Sequence, residues 1–177
     1  LLGKVPSPKI LLKAFEEVKP NLILTVPLIL EKIYKKMILP QLSKTTMKVA
    51  LNIPLLDSRI YAQIRKKLVD AFGGRFREVI VGGAAMNEEV TNFLYKIKFP
   101  FTIGYGMTEC GPLISYDHND EYVPGSCGQI LKGIMKVRID SEDPYNKVGE
   151  IQVSGENVMK GYYKNEEATS KVFTEDG

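Results

Sequence analysis

The chain has 177 residues, of which 44% are hydrophobic and 25% charged, and its formal net charge is +3. This composition is typical of a globular protein with a sizeable core, and the small, scattered positive charge gives no reason to expect nucleic acid as a partner. Two cysteines and one histidine are too few for a disulfide framework or a zinc cluster, so we expect a cytoplasmic protein. No apolar run reaches the length of a transmembrane segment, and whether the protein lies on a membrane surface is left open.

Helices and strands alternate through the first two-thirds of the chain. Ser7-Pro8 predicts the start of a helix and Pro20 its end, because serine caps helices and proline fits only their first turn. The segment from Leu22 to Val26 is short, apolar and partly β-branched, which predicts a buried strand. A second helix is expected to open at Pro27, with an inward face made of Leu30, Ile33, Tyr34 and Met37.

The same alternation continues. Asp57-Ser58 predicts the cap of an amphipathic helix that Gly73-Gly74 ends. Val79 to Val81 predicts a buried strand, Asn87 caps the next helix, and Phe99 to Ile103 predicts another strand. Repeated strand–helix–strand units predict an α/β fold built on a parallel sheet with crossover helices.

The pattern changes after residue 115. Apolar and charged residues alternate from Met135 to Asp140, and Ile151 with Val153 continues that alternation, which predicts an antiparallel pair. We therefore expect an α/β subdomain over residues 1–115 and a small β-rich subdomain over residues 116–177. Because the chain begins without methionine and ends in the middle of a pattern, we also expect a segment of a larger protein, truncated at its C-terminus.

The segment from Gly104 to Glu109 combines groups that suit a nucleotide. Gly104 and Gly106 let the backbone approach a ligand closely. Tyr105 offers a flat face for a planar ring, Thr108 a hydroxyl for a phosphate oxygen, and Glu109 a hard oxygen ligand for Mg²⁺. This segment directly follows a predicted strand, and so does the earlier pair Gly82-Gly83. Parallel strands end at one edge of a sheet, so we expect both glycine turns to face one ligand.

The same residues resemble a known family. Tyr105 to Glu109 resembles the Tyr-Gly-x-Thr-Glu signature of adenylate-forming (AMP-binding) enzymes, which include acyl-CoA synthetases, luciferases and peptide-synthetase adenylation domains. Val81 to Met86 resembles the family's Gly-Gly-Ala-Pro-Leu segment. Gly149 to Tyr163 resembles its Gly-Glu-Leu-x-Val-x-Gly…Gly-Tyr segment. Val26 to Tyr34 is most similar to the long-chain fatty acid–CoA ligases.

The resemblance implies a fold and a nucleotide site. The chain would form part of the family's large N-terminal domain, and its β-rich part would belong to a distorted β-barrel beside the active-site cleft. Gly83, Ala84 and Ala85 would form a flat wall for one face of adenine, although the family usually has proline where Ala85 stands. Tyr105 would stack on the other face. The other nucleotide-binding residues would be Gly104, Gly106, Met107 and Thr108.

The implied chemistry is acyl activation. A carboxylate attacks the α-phosphate of ATP, and the thiol of CoA then intercepts the acyl-adenylate. Thr108 would bind an α-phosphate oxygen and Glu109 would hold Mg²⁺, so these two are the candidate catalytic residues. The family's phosphate loop, ribose-binding Asp and catalytic Lys lie outside this chain. We therefore expect negligible ligase activity from the segment alone, and self-association through apolar surface that other parts of the protein would cover.

Two alternatives to a fatty acid–CoA ligase stay open. One is an adenylation domain that activates an amino acid or aryl acid for a carrier protein, and the other is a non-catalytic module that binds adenine nucleotide. Three reactive residues are interpreted without a catalytic role: His118 as a surface-loop residue, Cys110 as a small packing residue and Lys160 as a turn residue.

Overall fold

The computed structural model describes residues 7–176. These residues fall into two compact units: residues 7–103 with His118–Ser126, and Gly104–Asp117 with residues 127–176. Within the described residues, no helix is both long enough and apolar enough to cross a membrane. The subdomain boundary expected at residue 115 stays a prediction.

The first unit is built on a parallel sheet. Among the described residues its strands are β1 (Leu22–Thr25), β2 (Glu78–Val81) and β3 (Phe101–Ile103), in the order β1-β2-β3. All neighbouring strands run parallel, which confirms the predicted α/β fold. Because Val81 is the register partner of Ile103, β2 and β3 end at the same edge of the sheet.

Helices precede and connect these strands, and three of them begin where the sequence predicts. The helices are α1 (Pro8–Val18), α2 (Pro27–Ile33), α3 (Leu39–Leu42), α4 (Thr45–Ala50), α5 (Leu56–Ala71) and α6 (Glu88–Lys96). At α1, the Ser7 side chain accepts a hydrogen bond from the backbone N–H of Ile10 at 3.4 Å. At α6, Asn87 Oδ1 accepts one from Val90 at 3.2 Å. Each cap therefore satisfies one of the free N–H groups of a first turn.

The helix that starts at Pro27 differs from the prediction. It leaves α-helical geometry at Tyr34 and continues as a π-helical turn over Tyr34–Ile38. Leu39 donates its N–H to the carbonyl of Tyr34, five residues earlier, and this bond widens the helical turn. Pro40, the next residue, has no N–H to donate to the carbonyl of Lys36. Leu30, Ile33 and Tyr34 are buried as predicted, but Met37 is 43% exposed, and its assignment to the core was wrong.

Two further predictions about elements of the first unit were wrong. Helix α5 begins at Leu56, after Leu55 in a left-handed conformation (φ 71°), so Asp57-Ser58 lies in the first turn and not at the cap. In β1 only Ile23 is fully buried, whereas Leu22 is 50% and Leu24 74% exposed. The strand therefore has one bare face, while β2 is a buried strand as predicted.

Aromatic residues form much of the first unit's core. The rings of Phe72, Phe76 and Phe99 lie 5.6–5.9 Å from one another, centroid to centroid. Residues 118–126 return to this unit, and Tyr122 packs on Phe101 at 5.0 Å. This segment is held by polar contacts as well, because buried Glu78 accepts hydrogen bonds from Asn119.

The second unit is mainly antiparallel. Strand β4 (Tyr105–Gly106) pairs with β5 (Leu113–Ser115), β6 (Met135–Asp140) pairs with β7 (Glu150–Gly155), and α7 (Glu166–Ser170) follows. Val137 and Val153 are register partners, which confirms the predicted hairpin. The buried residues of its core are Cys110, Ile114 and Met135.

Candidate functional site

The first candidate segment follows β2 in the first unit. Gly83, Ala84 and Ala85 are all exposed, in irregular backbone that leads to the Asn87 cap of α6. Gly83 has φ 86°, a conformation that residues with a Cβ adopt only with strain, so glycine is required there. The segment thus presents a solvent-facing surface almost free of side chains, which is the property expected of a wall for a planar base.

The second candidate segment lies in the second unit. Tyr105 and Met107 are half-buried and pack on the apolar core of this unit. Gly104 is buried and Gly106 half-buried. A Cβ at Gly106 would overlap the carbonyl group of Pro112, so this glycine is needed for the close approach of β4 and the chain that enters β5. Packing within the unit therefore explains Gly106 without a ligand.

Thr108 and Glu109 stand on a short 3₁₀ turn, Thr108–Cys110. The Thr108 side chain is exposed, and Glu109 is half-exposed. Glu109 Oε1 accepts a hydrogen bond from the hydroxyl of Tyr162 at 2.7 Å, and its backbone carbonyl accepts one from the N–H of Met159 at 2.7 Å. The turn therefore carries a hydroxyl open to solvent beside a carboxylate whose position is fixed.

The protonation state of Glu109 follows from these contacts. The hydrogen bond from Tyr162, and secondarily the residue's own backbone N–H, hold the pKa of Glu109 below its ordinary value. The same hydrogen bond raises the pKa of the Tyr162 hydroxyl. At neutral pH the pair is therefore an anionic oxygen ligand held by a neutral donor, and such a carboxylate fits a hard cation such as Mg²⁺.

The chain after β7 is fastened to the same turn. Asn157 Nδ2 donates to the carbonyl of Cys110 at 2.5 Å and to that of Leu113 at 3.1 Å. Asn157 and Met159 therefore bond to backbone carbonyls in and next to the turn, and Tyr162 bonds to the Glu109 side chain. Within the second unit, the folded chain therefore brings two motifs together that stand about fifty residues apart in the sequence.

Glu109 and Tyr162 also line a cavity in the second unit. Its volume is about 650 Å³, and its walls include Met107, the hairpin β6–β7 and part of residues 171–176. Arg138 of β6 forms a two-bond ion pair with Asp176 at its margin. The cavity gives the Glu109 carboxylate a space in which a cation and its ligands have room.

Comparison with known proteins shows the family to which the chain belongs. A family model described as AMP-binding enzyme matches residues 2–163. The chain belongs to the AMP-binding enzyme family. Long-chain-fatty-acid–CoA ligase 1 of Saccharomyces cerevisiae is 28% identical over 179 residues, covering 92% of this chain and 26% of that protein. 4-Coumarate-CoA ligase 1 of Narcissus pseudonarcissus is 33% identical over 137 residues, covering 70% and 25%.

Solved structures show the same fold. MatB from Rhodopseudomonas palustris with ATP bound superposes with a TM-score of 0.64 at 23% identity, covering 97% of this chain and 29% of that one. O-succinylbenzoate coenzyme A synthetase from Bacillus subtilis, in complex with ATP and a magnesium ion, superposes with a TM-score of 0.64 at 21% identity, covering 96% and 30%. The chain spans about a quarter of the length of the curated relatives described above.

For this member of the AMP-binding family, sequence reasoning missed the role of Tyr162. The sequence did contain a signal, because Gly161-Tyr162 lies near the end of the family motif from Gly149 to Tyr163. Nothing in the spacing of that motif, however, shows that the Tyr162 hydroxyl reaches Glu109. The three reactive residues interpreted as non-catalytic lie as expected. Cys110 is buried and Lys160 exposed. The His118 side chain is 70% exposed, with Nδ1 3.4 Å from Glu78 Oε1.

Proposed function

We propose that this chain is part of an ATP-dependent acid–thiol ligase, which activates a long-chain fatty acid as its acyl-adenylate and transfers the acyl group to CoA. The observation that carries the proposal is the Thr108–Glu109 turn, where an exposed hydroxyl adjoins an ionised carboxylate held by Met159 and Tyr162. Family membership supports it. Because the chain spans about a quarter of its relatives, the activity is proposed for a longer parent protein.

Each group of the turn has a physical role in this proposal. Displacement at phosphorus depends on alignment of the reactants and on stabilisation of the charge that develops on the phosphate oxygens. Thr108 would donate a hydrogen bond to an α-phosphate oxygen, and Glu109 would hold Mg²⁺. The bound metal ion would neutralise phosphate charge. The predicted nucleotide contacts of Gly83, Ala84 and Ala85 and of Gly104 to Met107, and a cytoplasmic location, stay predictions.

A variant pair tests the roles of the turn in the parent protein. We expect Thr108→Ala to lower kcat for acyl-adenylate formation by about 10²–10³-fold, as loss of one donor to developing charge does. Glu109→Gln should raise the Mg²⁺ concentration needed for half-maximal rate. Pyrophosphate release measures both effects. Thr46→Ala, in exposed α4, is the matched control and should leave the rate unchanged. Near-normal rates in both turn variants would remove the phosphate assignment.

The acid substrate needs a separate experiment, because a 4-coumarate–CoA ligase is also among the similar proteins. That ligase is 33% identical to this chain over the aligned residues, whereas long-chain-fatty-acid–CoA ligase 1 is 28% identical. The second candidate is therefore a ligase for a hydroxycinnamic acid. A panel of palmitate, 4-coumarate and amino acids in the pyrophosphate-release assay separates the candidates. Pyrophosphate release with palmitate, together with formation of the CoA thioester, supports the long-chain fatty acid–CoA ligase. Preference for 4-coumarate or an amino acid overturns it, and ATP binding without any release indicates the non-catalytic module.

A further inference from the structure

Tyr162 is held in place by the chain that follows it. Its backbone N–H donates to Thr169 Oγ1 at 2.9 Å, and Thr169 Oγ1 donates to the carbonyl of Asn165 at 2.8 Å. Asn165 caps α7, since its Oδ1 accepts from the N–H of Ala168 at 3.0 Å. The preceding Gly161 has φ 144° and lies against the Thr169 side chain where a Cβ would clash. The position of the Tyr162 backbone is therefore set by α7 and its cap.

The chain before Tyr162 is fixed as well. Asn157 and Met159 bond to backbone carbonyls of residues 109–113, so residues 157–162 form a strap along the Thr108–Cys110 turn. The Tyr162 hydroxyl is the donor of this strap that reaches the Glu109 carboxylate itself. With both ends of the strap fixed, the hydroxyl is pre-positioned and determines which rotamer of Glu109 is favoured.

We propose that Tyr162 is a positioning residue for Glu109, which orients the carboxylate toward the cavity for a divalent cation carried by a nucleotide. The inference rests on the proposed function of Glu109. A carboxylate offers about four lone-pair sites, so one hydroxyl donor on Oε1 leaves the remaining sites for a cation. Groups that bond a metal ligand from behind fix its orientation and tune its affinity. Here the donor is neutral, so it does not reduce the negative charge that attracts the cation.

The neighbouring tyrosine provides a matched control. Tyr163 is 87% exposed, its ring lies under Lys164 Nζ at 5.2 Å, and within residues 7–176 its hydroxyl has no hydrogen-bond partner. Tyr162→Phe and Tyr163→Phe each remove one hydroxyl and keep the ring. Tyr162→Phe removes the hydrogen bond to Glu109. Tyr163→Phe makes the same change of residue type and leaves that hydrogen bond intact. A difference between the two variants therefore reports the Tyr162 hydroxyl alone.

The experiment uses the full-length parent protein. Mn²⁺ binding in the presence of ATP is measured from the electron paramagnetic resonance signal of the free ion, and the Mg²⁺ dependence of pyrophosphate release is measured in parallel. We expect Tyr162→Phe to weaken Mn²⁺ binding and raise the half-saturating Mg²⁺ concentration roughly tenfold, with kcat at saturating Mg²⁺ largely retained. Tyr163→Phe should match the wild type. Unchanged or tighter metal binding in Tyr162→Phe overturns the proposal, because tighter binding would mean that the hydroxyl competes with the cation.

A double-variant cycle separates positioning from a general structural effect. If Tyr162 acts through Glu109, then Tyr162→Phe should weaken Mn²⁺ binding no further when Glu109→Gln is already present. An equal further loss in that background overturns the proposal and assigns Tyr162 a structural role. Failure of the proposed function looks different: Glu109→Gln itself would then bind Mn²⁺ with ATP as tightly as the wild type.

Discussion

Tyr34 shows how one buried hydroxyl stabilises the first unit. Its ring is 5% exposed, and its hydroxyl donates a hydrogen bond to Glu89 Oε1 at 2.9 Å. Burial, reinforced by that bond and by the Glu89 charge, raises the pKa of Tyr34 to about 12. Because this folded-state pKa lies above the ordinary value of 10, the contribution is present below pH 10 and is lost as the pH rises toward 12.

We therefore expect Tyr34→Phe to lower the free energy of unfolding of this chain by about 1 kcal/mol at neutral pH. The variant should also lose less stability than the wild type between about pH 8 and about pH 11, since it has no hydroxyl to ionise there. Urea unfolding at the two pH values measures both effects. Tyr145→Phe, at a position 96% exposed, should behave like the wild type. Parallel pH profiles for Tyr34→Phe and the wild type would contradict the assignment.

Pairs such as Tyr34 with Glu89 could not be predicted from the sequence. Glu89 lies in the first turn of α6, where a negative charge favours the start of a helix, but its hydrogen-bond partner Tyr34 lies 55 residues away. Glu109 and Tyr162 are 53 residues apart. Motif chemistry made Glu109 a candidate site residue because its residue type and its neighbours in the sequence carry information locally. The donor that orients it is fixed by tertiary structure, for which the sequence has no periodic signal.

At the scale of elements, the β4–β5 pair depends on Gly106. A Cβ there would overlap the Pro112 carbonyl, so we expect Gly106→Ala to lower the free energy of unfolding by about 3 kcal/mol, as overpacking against backbone does. Gly133→Ala is the control: Gly133 has φ 79° but open space around it, and should lose only about 1 kcal/mol. Denaturant unfolding compares the two. A loss at Gly106 no larger than the loss at Gly133 would contradict the requirement for close approach to Pro112.

Elements were predictable where their signals are local. Ser7 and Asn87 cap helices through hydrogen bonds within three residues, and the period of β6 follows from one buried face. The cap at Leu55 was not predictable, since a left-handed leucine runs against local preference and persists only where the surrounding structure holds it. Leu22 and Leu24 were assigned to a buried strand because an apolar run does not reveal which neighbours cover it.

At the scale of the whole molecule, the bare face of β1 has a consequence for association. Strands of parallel sheets are normally covered on both faces, but Leu22 and Leu24 are exposed here, and Val26 and Leu28 beyond them are about half exposed. Within residues 7–176, β1 is also an edge strand, paired only with β2. An apolar face beside an unpaired strand edge favours contact with another copy of the chain. We therefore expect the 177-residue chain to self-associate as its concentration rises.

Leu24→Lys tests this expectation most directly, because Leu24 is 74% exposed and the adjacent Ile23, at 3%, holds the strand to the core. A charge at position 24 should reduce self-association, measured by light scattering over a concentration series, with little change in unfolding free energy. Val148→Lys adds the same charge at an isolated apolar residue outside the β1 face, 102% exposed, and should leave self-association unchanged. A wild-type chain that stays monomeric throughout the series, or equal effects of the two variants, would contradict the role of the β1 face.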